Sequence, residues 1–225
     1  IIPDANYNGD ILVSVTVSDG EFTDSASFTL TVNPVNDAPV LTAIDDQSID
    51  EDSSLTYSLS ASDVDDTDLE YSATVDGNAS VDVTESTLTV IPDSNYNGDI
   101  QVSVTVSDGE FTDSGSFTLT VNPVNDAPIL SEIENQSINE DNIFTYNLVS
   151  SDIDEDVLSY SVVIISGDAS YDLQDDLLTI IPDLNYNGDV QVSVAVFDGE
   201  LADATPPLTI TLVREAVKVW SGKPE

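Results

Sequence analysis

Ile11, Val13, Val15 and Val17 alternate with Leu12, Ser14, Thr16 and Ser18, so one side of this stretch is aliphatic and the other is mostly hydroxyl-bearing. A period of two predicts a strand. Past Asp19-Gly20, the residues Phe28, Leu30 and Val32 alternate again, and the two runs predict a hairpin. Further along, the same alternation predicts short strands over 40–44, 55–60, 69–75, 80–83, 87–91, 100–107 and 114–121. Gly, Asp, Asn and Pro fill nearly every gap, and no helical period persists for more than a few residues. Seven short strands in about 90 residues predict an all-β fold, a seven-stranded antiparallel Greek-key sandwich of immunoglobulin type.

The pattern recurs. Asn33-Pro-Val-Asn-Asp-Ala-Pro39 returns as Asn122-Pro-Val-Asn-Asp-Ala-Pro128. Pro34 and Pro123 stand 89 residues apart, as do Pro3 and Pro92, while Pro92 and Pro182 stand 90 apart. A fixed period of this size means one structural unit strung in tandem, with the proline-bearing heptapeptide as a stiff joint. The sandwiches are thus expected end to end: residues 1–33 as the closing part of a repeat, 34–122 and 123–213 as whole repeats, and 214–225 as a tail holding Trp220. The last whole repeat carries one extra residue between Tyr160 and Pro182, and Pro206-Pro207 falls in its final strand. A lone hairpin is marginal in water. Either the first half of the partial repeat lies upstream, with the chain an internal or processed piece of a longer protein, or another chain supplies it.

Charge narrows the functions. There are 44 acidic residues against three basic ones, Arg214, Lys218 and Lys223, for a net charge of -41. Nucleic acid and anionic membranes need Lys and Arg, so neither is an expected partner. With no Cys and no His, thiolate or imidazole metal sites and the usual general base are missing. No apolar run approaches 18 residues, so this segment is not expected to insert in a membrane.

The acids recur in register in the loops. One set is the joint, with Asn36 and Asp37 and again Asn125 and Asp126. A second is an acid ahead of the second expected strand, Glu51 and Glu140. A third is Asp63 with Asp65, and Asp152 with Asp154. The fourth is the Asp of Asp-Gly after the sixth strand: Asp19, Asp108 and Asp198. Oxygen donors of this kind suit calcium, a hard cation. Like charges about 4 Å apart repel by about 1 kcal/mol in water and about 4 kcal/mol at an effective dielectric of 20. Gathered acids with no Lys or Arg nearby therefore favour a divalent ion among them. The competing reading is a solvated acidic surface, as in proteins adapted to high salt.

Ala61-Ser-Asp-Val-Asp65, Val106-Ser-Asp-Gly109 and the joint Val121-Asn-Pro-Val-Asn-Asp-Ala-Pro128 together resemble the cadherin repeat, in the bacterial cadherin-like form found in tandem in large surface adhesins. The resemblance covers residues 1 to about 213. It implies calcium between successive repeats. Carried over, the first junction uses Asp4, Asn6, Asn36, Asp37, Asp63, Asp65 and Asp108. The second uses Glu51, Asp93, Asn95, Asn125, Asp126, Asp152, Asp154 and Asp198. The acidic turn departs from the family pattern, reading Asp-x-Asn where cadherins place Asp-x-Glu, and the joint is a residue off the animal form.

The reading that follows is non-enzymatic: a calcium-stiffened stalk of a large extracellular bacterial surface or secreted protein, engaged in adhesion or surface assembly. Its expected partners are calcium ions, neighbouring repeats, and other copies of the chain or cell-surface glycans. The alternative is an array of carbohydrate-binding modules on a secreted polysaccharide-active protein, which needs an exposed aromatic platform. Tyr7, Tyr96 and Tyr186 with Asn8, Asn97 and Asn187 are the candidates for sugar contact, although Tyr96 sits where such sandwiches place a corner tyrosine. A two-carboxylate glycosidase is disfavoured, because each acidic motif recurs in every unit. Asn78-Ala-Ser80 and Asn135-Gln-Ser137 are glycosylation sequons.

Overall fold

A computed structural model describes residues 1–214, and all regular structure among them is β-strand. The residues fall into two units, Ile1–Pro123 and a second beginning at Val124.

The first unit opens with β1 (Gly9–Ser18) and β2 (Thr23–Val32), paired antiparallel from Gly9 opposite Val32 to Ser18 opposite Thr23. There follow β3 (Val40–Leu41), β4 (Gln47–Asp50), β5 (Leu55–Ser58), β6 (Ala61–Ser62), β7 (Glu70–Val75), β8 (Ala79–Thr84), β9 (Thr87–Pro92), β10 (Gly98–Ser107) and β11 (Thr112–Asn122). One sheet runs β4-β11-β10-β7 and the other β5-β9-β8, with β3 and β6 as a separate pair. The alternation explains the layering. Ile100, Val102 and Val104 of β10 and Phe117, Leu119 and Val121 of β11 point inward onto Leu88 and Val90 of β9, and all are buried. Water is excluded from this face, which supplies the main driving force for folding.

Two features differ from the sequence expectation. The sandwich holds nine strands, because β4 and β6 are also present, and β4 runs parallel to β11 with Gln47 opposite Leu119. β4 is four residues with one aliphatic side chain, Ile49, and β6 is two residues; neither is long enough to establish a period. The first expected strand, 40–44, is correspondingly cut to Val40–Leu41, since the chain leaves one sheet there and joins the other at Gln47. Glu51 precedes β5 as expected but directly follows β4, and its N–H donates to the Asn122 carbonyl at 2.9 Å.

The second unit repeats the plan: β12 (Ile129–Leu130), β13 (Gln136–Asn139), β14 (Phe144–Asn147), β15 (Ser150–Ser151), β16 (Ser159–Ser166), β17 (Ala169–Gln174), β18 (Leu177–Pro182), β19 (Gly188–Phe197), β20 (Ala202–Ala204) and β21 (Leu208–Val213). β13-β21-β19-β16 form one sheet, with β20 also on β19, and β14-β18-β17 form the other. Pro206-Pro207 lacks the N–H groups a ladder needs, so the strand unbroken in β11 is here split into β20 and β21. The extra residue is absorbed by a bulge between Ile164 and Ser166 of β16. Gly167 follows with φ +98, and a Cβ there would lie 2.6 Å from the Asp189 carbonyl oxygen and 2.8 Å from Val190 Cα. Gly77 in the first unit also has positive φ, but open space surrounds it.

Gly167→Ala is therefore expected to destabilise the second unit by about 1–3 kcal/mol from backbone strain, with the clash added. Gly77→Ala carries the strain alone. Urea midpoints of the two variants check the order, with Gly167→Ala the lower.

Candidate metal centres

In the first unit, four loops meet at the joint. Asn36 donates through Nδ2 to Asp108 Oδ2 at 2.8 Å, and the Asp37 N–H donates to Asp65 Oδ2 at 2.8 Å. Asp63 Oδ1 accepts the N–H groups of Asp65 and Asp66 at 2.8 and 2.9 Å, and Asp108 Oδ1 accepts those of Glu110 and Phe111 at 2.7 and 2.6 Å. Short side chains with carboxylate oxygens favour such turns, because they replace a backbone acceptor two residues on. Asp63 Oδ2 is left buried with no hydrogen-bond partner. An open cleft of about 370 Å³ is lined by Asp4, Asn6, Asp37 and Asp65, together with Tyr7 and Pro34. Of the first-junction residues, Asp4, Asn6, Asp37 and Asp65 thus share one cleft, and Asn36, Asp63 and Asp108 are tied to it by the joint and the Asp63 turn.

Glu51, Asp93 and Asn95 also lie in the first unit. Glu51 is 5 % exposed. Asp52 Oδ1 accepts the Asn95 N–H at 3.1 Å, which fastens the Glu51 loop to the turn Asp93–Tyr96, and Tyr96 N–H donates to Asp93 O at 3.1 Å. Asn6 and Asn95 take left-handed backbones, φ 59 and 55, a conformation asparagine tolerates. Tyr96 Oη donates to Asp99 O at 3.0 Å, as Tyr7 does to Asp10 O at 3.0 Å and Tyr186 to Asp189 O at 3.2 Å. All three hydroxyls brace their own turns.

The second unit repeats the joint. Asn125 Nδ2 donates to Asp198 Oδ2 at 2.9 Å, Asp126 N–H to Asp154 Oδ2 at 2.8 Å, and Asp154 N–H to Asp152 Oδ1 at 2.9 Å. Asp152 Oδ2 is buried without a hydrogen-bond partner, matching Asp63 Oδ2. Carboxylate oxygens of Asp152, Asp154 and Asp156 lie within 4.8 Å of one another. Asp156 is the member the sequence reading passed over. Its signal was present as Asp-x-Asp-x-Asp over 152–156, whereas the first whole repeat has Thr67 at that place.

The donors are all oxygens. An aspartate that gives one oxygen to its own loop and keeps the other buried without a donor fits a hard cation. A calcium ion here would supply charge neutralisation, with Asp63, Asp65 and Asp37 as its first-unit candidates and Asp152, Asp154 and Asp156 as its second. Three carboxyls are held below the ordinary aspartate value of 3.8. The Phe111 N–H does most for Asp108, against partial burial and with help from Glu110 N–H and Asn36; the Phe22 and Glu21 N–H groups do the same for Asp19. At Asp198 burial pushes upward, and the Asn125 amide with the N–H groups of Glu200 and Leu201 outweighs it.

Two β-sandwiches sharing one loop chemistry define a tandem immunoglobulin-like repeat. Residues 36–121 and 125–211 each match the model of the bacterial Ig domain, and the chain belongs to that family. Over 113 residues, 48% of this chain, it is 34% identical to chitinase A of Pseudoalteromonas piscicida, and the matched stretch is 14% of that enzyme's length. Among solved structures, mouse protocadherin-24 EC1-3 aligns at a TM-score of 0.47 and 18% identity, over 91% of this chain and 80% of that one. Human protocadherin-24 EC1-2 aligns at 0.48 and 18%, over 80% and 100%. An endo-fucoidan hydrolase of glycoside hydrolase family 107 aligns at 0.34 and 15%, over 95% and 35%.

A depressed carboxyl stabilises the fold fully above its unfolded value and loses that contribution as pH falls through the folded one. Asp19, Asp108 and Asp198 are therefore expected to titrate below 3.8 in carboxyl-detected NMR. Asn36→Ala should move Asp108 upward and leave Asp19 in place, because no asparagine contributes to Asp19. Equal movement of both would contradict the local cause.

Proposed function

We propose that this chain is a calcium-binding spacer segment of an extracellular bacterial surface or secreted protein, with its joints stiffened by the ion and its role mechanical rather than catalytic. The observation that carries the reading is the repeated aspartate, Asp63 and Asp152, whose Oδ2 is buried without a hydrogen-bond partner, in the second unit beside the carboxylates of Asp154 and Asp156. In the first unit the ion draws on Asp4, Asn6, Asn36, Asp37, Asp63, Asp65 and Asp108. Glu51, Asp93 and Asn95 in the same unit, and Asn125, Asp126, Asp152, Asp154 and Asp198 in the second, are the further ligands. With no Lys or Arg from Ile1 to Val213, only a cation from solution relieves the repulsion among them. Adhesion and surface assembly are the uses to which such a spacer is suited, with other copies of the chain or surface glycans at its ends.

The likeness to part of chitinase A favours one second reading, an accessory module of a polysaccharide-active enzyme. Retention on insoluble chitin at saturating calcium, abolished by soluble chito-oligosaccharide, would support it. Flow-through at all calcium levels would leave the spacer.

Calcium at a hundred times its Kd adds about 2.7 kcal/mol per site and shifts melting on the order of 10 °C. Chelation is therefore expected to lower the melting temperature by that order, and magnesium to restore it poorly, since it demands a tighter octahedron. Calorimetric titration of chelator-treated protein that releases no heat would sink the reading.

Asp152→Asn with Asp154→Asn should remove calcium uptake from the second unit while its strands stay folded. Circular dichroism and calcium titration on the same sample separate the two effects. Loss of the sandwich itself would instead make these residues purely structural.

A further inference from the structure

We propose that β16 is a docking edge for β16 of a second copy of this chain, the two strands pairing antiparallel into one continuous sheet. β16 closes its sheet, with β19 as its one ladder partner among the described residues. An open edge presents unpaired N–H and C=O groups, and proteins blunt such edges with short strands and charges. The other edges of the main sheets follow that rule. β4, β5, β13 and β14 are four residues long, and the six-residue edges β7, β8 and β17 each carry an acid, Glu70, Asp82 and Asp172. β16 instead runs Ser-Tyr-Ser-Val-Val-Ile-Ile-Ser for eight residues without a charge, glycine or proline, in a chain with 44 acidic residues.

The face beside this edge has lost its polar cover as well. Tyr160, Val162 and Ile164 pack against the core, so Ser161, Val163 and Ile165 point outward. Val163 is 60% exposed and Ile165 51%. Counted from the shared tyrosine, Tyr71 or Tyr160, the first whole repeat has Thr74 and Asp76 at these places. On the neighbouring strand, Ala195 and Phe197 stand opposite Ser161 and Ser159, where β10 has Thr105 and Ser107. Residues 9–39 and 98–128 differ at two positions, Leu12 against Gln101 and Ala26 against Gly115, so both keep this serine. Ser18 and Ser107 donate to the Phe22 and Phe111 carbonyls and accept the N–H groups of Gly20 and Gly109, at 3.0 to 3.2 Å. Phe197 gives up both bonds and leaves its ring 43% exposed. That ring shares one sheet face with Ala195, Val163 and Ile165, and an apolar stripe of this kind marks an interaction surface.

Charge selects the occupant. A basic partner finds no carboxylate along β16, and an acidic strand would bring unpaired charge against aliphatic side chains. A neutral, strand-forming segment of equal length is complementary, and β16 of a second copy is one. A two-fold axis normal to the sheet sets β16 antiparallel to itself with both outer faces on the same side. Alternation then requires outward residues to face outward ones, which allows Val163 to stand opposite Val163, a β-branched pair of the kind that stabilises sheets. The nearest acids along the chain, Asp156 and Asp168, lie outside the eight paired residues. The net charge of -41 on each copy opposes approach. Salt screens that repulsion over about 8 Å at physiological ionic strength, so this contact strengthens with salt, whereas one held by opposite charges weakens.

Sedimentation of the whole chain in chelator, from micromolar to hundreds of micromolar and from low to high salt, tests this, with chelator present so that no ion at the joints takes part. A monomer–dimer equilibrium that tightens with salt is expected. Val163→Lys acts twice in a symmetric pair and should raise the dimer dissociation constant at least about tenfold. Thr74→Lys, at the matching place in the first unit, should leave it unchanged. Phe197→Ser installs the residue the other repeats carry, so the fold tolerates it, and it should weaken the dimer too. Hydrogen exchange should show β16 amides slowing as concentration rises. A chain that stays monomeric throughout overturns the proposal, as does a dimer that weakens with salt or survives both Val163→Lys and Phe197→Ser. β16 amides already protected in the dilute monomer also overturn it, because the edge would then be covered from within the chain.

Discussion

The end of each sandwich is held by aspartates that accept backbone N–H groups from loops distant in sequence. Asp65 receives the Asp37 N–H across 28 residues, and Asp108 also receives the Asn36 side-chain amide, Nδ2, across 72. Away from the joint, Asp113 Oδ2 takes the Leu41 N–H and Asp203 Oδ2 takes that of Leu130, both at 2.8 Å. Hydrogen bonds to a charged acceptor are stronger than neutral ones, so these contacts fix loops that carry little apolar surface. They also concentrate negative charge where the chain passes from one repeat to the next. Loop order and local charge are therefore consequences of the same side chains.

Much of this was legible in the sequence, for a physical reason. Strands such as β10 and β11 are long, alternate strictly and repeat at a fixed period, so each residue's face follows from its neighbours. The joint aspartates were legible because the motifs recur in order. What escaped detection is non-local or short. β4 is held by its parallel pairing with β11, some 70 residues away, and nothing within Gln47–Asp50 announces it. The roles of Asp113 and Asp203 depend on a partner N–H equally far off. Asp156 was missed because the first whole repeat has Thr67 there, so a reading based on what the repeats share discards it.

The departures between repeats are local and each has one cause. Two prolines divide the last strand of the second unit, and one inserted residue makes a bulge closed by Gly167. Neither touches the aspartates of the joint. The loops at the ends are thus conserved in form between the units while the sheets vary, as is expected when the sheets need only fill volume and the loops must keep oxygens at set positions.

The near-identity of the two hairpins has a kinetic side. While the chain collapses, strands β3 to β9 lie between two almost interchangeable closing pieces, one just before them through the joint and one just after through the turn 93–97. Loop-closure entropy discriminates weakly between short connections. A circularly permuted intermediate, with β1–β2 seated where β10–β11 belong, would be compact and would have to open before the native pairing forms. Ala26 would meet Leu41 there at ordinary contact distance, so sterics offer little proofreading.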